Sequence, residues 1–387
     1  MRTKAYVREG VDALMTGSPT RIGRYTVAWE LGSGGMGEVY LAYSPGGDPV
    51  AVKVIRSDKL DPVTRARFEK EALIARTVIG TNRVARFLDA DPFADRPWLA
   101  MEYVAGRTLL ACVDSDGELP LLMVASLGAL LAEGLSAVHA AGLVHRDLKP
   151  QNIIMGTEGP MIIDFGLGAF MDAAKETLSH SGMIIGTVRC MPPEQASGHP
   201  KVTPAADVYA LGTVLLYAAT RHYPYDGHQW EAVAMQIANP EIGPDLSGVP
   251  EGLKALLAAM LAHTPEGRPS LAAVADVCAD LIRVAGKTPA AARLALIDRT
   301  TAAGGEVPTN EPLSASFEKL IDEQAALTVV SPLDAPTVAE PEVDEEPVPE
   351  LPTAPVRPKD RTSRGRPAAS QRVAGELREQ YAVDPAL

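Results

Sequence analysis

The chain has 387 residues, with Lys+Arg 36 against Asp+Glu 49 and a formal net charge of −13; hydrophobic residues make up 46% and charged residues 22%. That composition excludes a collagen, a coiled coil and a wholly disordered chain, and the acidic balance disfavours non-specific nucleic-acid binding, so no nucleic-acid partner is expected. The length can bury a core without staples. Cys112, Cys190 and Cys278 show neither zinc nor disulfide spacing, as suits a reducing compartment.

Residues 1–24 read as an N-terminal extension with no apolar stretch of the kind a secretion signal needs. Strand-like runs follow at 25–31, 39–42 and 50–55, parted by Gly and Pro turns. Pro62 opens a helix to about Val78, with Phe68, Ala72 and Ala75 on one face. Short strands are expected at 85–88 and 98–103, then helices at about 121–140, 205–220, 229–238, 251–262 and 270–283. A β-rich small lobe (about 25–103) before an α-rich large lobe (about 104–285) is an α+β arrangement. The uncharged run Leu119–Ala132 reads as a buried core helix, being short for a membrane span, so no transmembrane segment is expected. Beyond 285 the signals thin. Prolines and acids crowd 331–358, a basic stretch fills 357–372, and 286–387 is expected to be a largely disordered tail.

Three groups of residues carry chemistry. Gly32-Ser33-Gly34-Gly35-Met36-Gly37-Glu38-Val39 lies between two strands, where glycines let backbone approach a phosphate. An ordinary Gly-rich hairpin is the alternative; a dinucleotide fingerprint and a Walker A loop do not fit, since a strand follows and no Gly-Lys-Ser/Thr closes the loop. In Val50-Ala51-Val52-Lys53, alternation puts Ala51 and Lys53 on the loop side. A lysine there needs a carboxylate, expected from Glu71 of the next helix with Glu69 as second choice; a surface ion pair is the bland alternative. Finally, His145-Arg146-Asp147-Leu148-Lys149-Pro150-Gln151-Asn152 precedes Asp164-Phe165-Gly166, with two short apolar strands between. Two Asp and an Asn suit Mg²⁺, and Lys149 suits a phosphoryl group.

In this combination and order the chain resembles the eukaryotic-type (Hanks) serine/threonine protein kinases, from about Tyr25 to Arg283. Gly186-Thr187, Pro193-Glu194, Asp207 and Arg268 extend the likeness into the large lobe. The Gly-Gly-Met-Gly loop and Pro193-Glu194-Gln195 look most like bacterial members, and the arginine- and alanine-rich composition fits a high-GC actinobacterium.

The resemblance implies a bilobal kinase fold and ATP-dependent phosphorylation of protein Ser or Thr hydroxyls, with Mg²⁺ (Mn²⁺ as an alternative). It implies that Gly32, Ser33, Gly34, Gly35, Met36, Gly37, Val39 and Ala51 enclose ATP, and that Met101, Glu102 and Val104 face adenine. Lys53, held by Glu71, would grip the α- and β-phosphates. Asn152 and Asp164 would hold metal, Asp147 would accept the substrate proton and Lys149 would steady the γ-phosphoryl group. Lys149 and Thr187 look like the Ser/Thr-directed pair. Arg146 implies control by phosphorylation nearby, with Thr177, Ser179 and Ser181 as expected autophosphorylation sites. Asp207 and the Glu194–Arg268 pair would be structural ties. Pro192 and Val188-Arg189-Cys190 depart from the family pattern where a peptide docks, which bears on substrate preference.

A scaffold that had lost catalysis need not keep Lys53, Asp147, Asn152 and Asp164 together. A small-molecule kinase is disfavoured by Gly186-Thr187 and Pro193-Glu194. Cytoplasmic signalling is expected, with protein substrates, a homodimer for autophosphorylation, and a phosphothreonine-binding partner at tail residues such as Thr328, Thr337 and Thr353.

Overall fold

The computed structural model describes residues 19–34, 37–55, 62–78, 81–164, 188–198, 202–227 and 229–301. The chain divides into one unit from Met1 to Ala326 and another from Leu327 to Leu387, and every described residue lies in the first. The expectations for the N-terminal extension up to residue 18, the Gly35-Met36 tip and residues 302–387 lie outside the described residues.

The small lobe is a six-stranded antiparallel sheet in the order β1 (Arg21–Ile22), β2 (Tyr25–Gly34), β3 (Gly37–Tyr43), β4 (Pro49–Ile55), β6 (Trp98–Glu102), β5 (Phe87–Asp91). Side chains alternate across a strand, and β4 shows the consequence. Val50, Val52 and Val54 enter one apolar cluster with Tyr25, Tyr40 and Trp98. Ala51 and Ile55 enter the cluster on the other face, with Leu99 and Met101. Lys53 lies opposite Val39 on one side and Leu99 on the other, so all three project from that second face. Helix α1 (Pro62–Ala75) packs near β5 and buries Ala72 and Ala75.

The large lobe begins with β7 (Arg107–Thr108) and α2 (Leu109–Asp116), whose N-cap Thr108 accepts from the Ala111 amide at 3.1 Å. At its centre is α3 (Leu121–Ala140). This helix is long and apolar enough to cross a membrane, but Val124, Leu127, Leu131, Leu135 and Val138 are buried in the core of the lobe. Around it stand α5 (Ala205–Thr220), α7 (Glu251–Met260), α8 (Leu271–Val284) and α9 (Pro289–Thr301). The short α4 (Pro193–Ala196) packs near α6 (Trp230–Ala238), outside that core. A Cβ on Gly128 would meet Cys278 Sγ at 2.9 Å, which measures how closely α3 and α8 approach. A small antiparallel sheet, β7-β8-β9, with β8 at Ile153–Gly156 and β9 at Gly159–Ile162, completes the lobe.

Several expectations need correction. The two-residue β1 and β7 and the helix α2 add to the expected elements, α1 stops at Ala75, and β5 begins at Phe87. More consequential, 289–301 is no part of a disordered tail. Ala292, Leu296 and Thr300, spaced four apart, are buried against the large lobe as one face of α9. The stripe contains one large apolar residue, so its periodicity is faint in the sequence. Cys112, Cys190 and Cys278 are free and buried, and burial pushes Cys190 and Cys278 up to about 12.

Candidate active site

The segment 141–152 is pinned by one carboxylate. Asp207, in the first turn of α5, is fully buried. It accepts hydrogen bonds from the His145 amide at 2.8 Å and the Arg146 amide at 2.9 Å, and its Oδ2 lies 2.7 Å from His139 Nε2. Arg146 takes a left-handed conformation there, φ 64°. His145 is fully buried too. Its Nε2 donates to the Ile163 carbonyl at 3.1 Å, which leaves Nδ1 to accept from the Asp147 amide at 3.3 Å. The segment is thereby tied to the residue just before Asp164.

Asp147 sits in a polar knot. Lys149 Nζ is 2.8 Å from its Oδ2, and Asn152 Nδ2 donates to its carbonyl oxygen at 2.8 Å and to Oδ2 at 3.2 Å. Asn152 closes a 3₁₀ turn opened by Pro150 and leads straight into β8. Its carbonyl accepts from the Ile163 amide at 2.9 Å, so the β8–β9 hairpin brings Asn152 beside Asp164 at its base. Asp164 has φ 60°.

Across the cleft, Lys53 Nζ meets Asp164 Oδ2 at 2.7 Å, joining residues 111 apart in sequence. Burial alone would raise the Asp164 carboxyl, but Lys53, helped by Lys149, outweighs it and holds the group below its ordinary value. The expected partner of Lys53, Glu71, lies on α1, but its side chain is outside the described part; Glu69 is exposed.

Gly32, Ser33 and Gly34 end β2 and pair with Val39, Glu38 and Gly37 of β3. Gly37 has φ 152°, and a Cβ there would overlap the Val54 carbonyl oxygen, so this hairpin can lie so close to β4 only with glycine. Val39 and Ala51 are half-buried on neighbouring strands. Met101 is buried, and the Glu102 carboxylate accepts from Arg86 Nε at 3.2 Å. Val104 is half-buried beside Gly156. Gly35, Met36, Phe165, Gly166, Thr177, Ser179, Ser181 and Thr187 fall outside the described residues.

Below the site, Glu194 and Arg268 form a two-pronged buried pair, both contacts at 2.7 Å, and the guanidinium also donates to the carbonyls of Ala205, Ala262 and His263. His139 is the participant that sequence reasoning misses. Its partner Asp207 is 68 residues away, and nothing local marks it.

The residues fit a divalent cation with a nucleotide. Among the described residues no three His, Cys, Asp or Glu side chains gather as a self-sufficient metal site would. One carboxylate and one amide suit a hard cation that takes its remaining oxygens from phosphates and water.

The protein kinase domain family matches residues 25–278. A probable serine/threonine-protein kinase, PkwA, of Thermomonospora curvata is 43% identical over 263 residues, 68% of this chain and 35% of that protein. Serine/threonine-protein kinase AfsK of Streptomyces coelicolor is 42% identical over 262 residues, 67% of this chain and 32% of that protein. The chain thus spans about a third of the length of these two relatives. The crystal structure of a point mutant of the Mycobacterium tuberculosis PknI kinase domain superposes with a TM-score of 0.54 at 26% identity, covering 69% of this chain and 99% of that one. With the motifs in order, the two lobes and the lysine-to-aspartate contact between them, the chain belongs to the protein kinase family, among its bacterial, Hanks-type serine/threonine members.

Proposed function

We propose that this chain is an ATP-dependent serine/threonine protein kinase acting on protein substrates, with residues 25–285 as its kinase domain and α9 as an added helix. The observation that carries the reading is the 2.7 Å contact of Lys53 with Asp164, beside the Asp147–Lys149–Asn152 knot. A loose phosphoryl transition state asks for positioning and charge neutralisation, and these residues supply both.

In this reading Lys53, steadied by Glu71, binds the α- and β-phosphates, and the glycine hairpin covers them. Asn152 and Asp164 would hold Mg²⁺, with Mn²⁺ as an alternative; the cation, when bound, neutralises charge on the β- and γ-phosphate oxygens. Asp147 orients the substrate hydroxyl and takes its proton as the new O–P bond forms and the bond to ADP breaks. Lys149, at 2.8 Å from Asp147, steadies the transferred group. The tight knot around Asp147 supports this role, because a base must be held in place before its substrate arrives.

Regulation belongs to the same proposal. The chain phosphorylates itself at Thr177, Ser179 or Ser181 through a homodimer, and Arg146 pairs with the new phosphate. The activity is cytoplasmic, and phosphorylated threonines of the tail recruit a phosphothreonine-binding partner.

The test is incubation with labelled ATP, Mg²⁺ and a generic protein substrate, with phosphoamino-acid analysis and a Lys53→Met control. Label on Ser or Thr that vanishes in the control is the expected result. No transfer, or transfer that survives Lys53→Met, overturns the proposal.

A further inference from the structure

Helix α9 lies beyond the family match, which ends at residue 278, yet it touches the part of the lobe that carries the candidate metal-holding residues. It packs against both β8 and β9 as well as α3 and α8. Its 13 residues reach about 20 Å at 1.5 Å per residue. Both ends are tied.

Near its N-terminus, Arg293 donates to the carbonyl oxygen of Glu158, in the turn of the β8–β9 hairpin, at 2.8 Å, and to the Glu158 carboxylate at 3.1 Å. Arg83 donates to the same carbonyl at 2.6 Å. Gly159, the next residue, has φ 97°, and a Cβ there would come 3.3 Å from Arg83 Nη1, 3.7 Å from Arg293 Nε and 3.9 Å from Ile297 Cδ1. At the other end, Arg107 of β7 donates to the Thr300 carbonyl at 3.1 Å and pairs with Asp116, while Arg299 donates to the Asp116 carbonyl. The helix therefore connects the hairpin turn to the β7–α2 corner where the chain enters the large lobe.

The tie at the turn is a poor stability device. Two guanidiniums share one carbonyl, and the Nε atoms of Arg83 and Arg293 are buried without partners among the described residues. Two cations gathered on one carbonyl oxygen repel each other, so stability alone gives this tie little reason. Position supplies it. The hairpin begins at Ile153, directly after Asn152, and ends at Ile162, two residues before Asp164. Whatever holds its turn sets the tilt of both residues at its base. A small displacement of a reacting centre is expensive in rate.

We propose that α9 is a clamp on the β8–β9 hairpin and that Arg293 is a positioning residue, acting through the Glu158 backbone on the placement of Asn152 and Asp164 toward the metal–nucleotide complex. The inference rests on the kinase reading for its consequence in turnover, and its own core is measurable without turnover.

The experiment compares full-length wild type with Arg293→Ala, Arg293→Lys and Glu158→Ala. In nucleotide-free protein, amide hydrogen exchange over 153–162 is expected to speed up at least about fivefold in Arg293→Ala, with the rest of α3 and α5 unchanged. The Mg²⁺ concentration that half-saturates ATP binding is expected to rise about threefold, and kcat to fall while KM for the protein substrate holds. Glu158→Ala keeps the carbonyl and should match wild type in all three; Arg293→Lys should lie between. If Arg293→Ala does not fold, Arg293→Lys alone carries the test, with the same directions. Exchange and Mg²⁺ dependence equal to wild type in Arg293→Ala overturn the clamp, as does an equal loss in Glu158→Ala, which would mark a carboxylate ion pair instead. Inactive wild type with the exchange change present would sink the kinase reading and leave the clamp standing.

Discussion

The two lobes hold their share of the site by different physics. In the small lobe, Lys53 is placed by strand alternation: valines on one face of β4 bury themselves and the intervening positions face the cleft. Its polar contacts are mostly at the surface, such as Arg96 with Glu38 and Arg76 with Asp89. In the large lobe, the loop that carries Asp147 and Asn152 is held by the buried Asp207 carboxylate, and the buried Glu194–Arg268 pair ties α4 to the start of α5. One jaw of the cleft is set by hydrophobic pattern and the other by desolvated polar bracing. The first tolerates changes that keep the pattern; the second tolerates no half-removed pair.

Arg268→Ala tests that contrast most severely. It removes the two-pronged guanidinium from the Glu194 carboxylate, and breaking a buried pair from one side costs about 3–5 kcal/mol. Urea denaturation should show that loss, and a change under about 1 kcal/mol would mean that water relieves the pair. Gly37→Ala probes the small lobe. A methyl aimed at the Val54 carbonyl at a φ reserved for glycine should cost about 1–3 kcal/mol. A melting temperature equal to wild type would show that the hairpin shifts freely.

The pH dependence joins the two jaws. The Asp164 carboxyl is held below its ordinary 3.8, so it contributes stability that is whole above about pH 4 and is lost as pH falls through the lowered value. Lys53 is the strongest of the groups that lower it. The stability gap between wild type and Lys53→Met should therefore shrink on acidification from about pH 6 to about pH 3. A constant gap would deny the coupling. The smallest effect is expected from Arg96→Ala, which removes a half-exposed pair with Glu38 and should change stability by less than about 1 kcal/mol. A larger loss by urea denaturation would move that pair into the buried class.

What is legible in the sequence is whatever is local. Period-2 valines in 50–54 announce β4, and the string from His145 to Asn152 announces the loop. The long apolar run announces α3. What escapes depends on partners far away. His139 is recognisable only once Asp207 arrives from 68 residues on. Helix α9 hides because its buried stripe is Ala292, Leu296 and Thr300, and its anchors are arginines that look solvated in a sequence. Helix α2 has a readable cap in Thr108 but only eight residues, too few to establish a period.

The three hidden sulfhydryls report on three places at once. Cys112 lies against the Thr300 carbonyl at the end of α9, Cys278 against Gly128 between two central helices, and Cys190 within electrostatic reach of Asp147 and Lys149. In the native molecule Cys190 and Cys278 are buried and their thiols raised, which shields both from an alkylating reagent at neutral pH. The order in which the three become labelled as denaturant is raised would map which seam of the large lobe parts first, with no engineered probe.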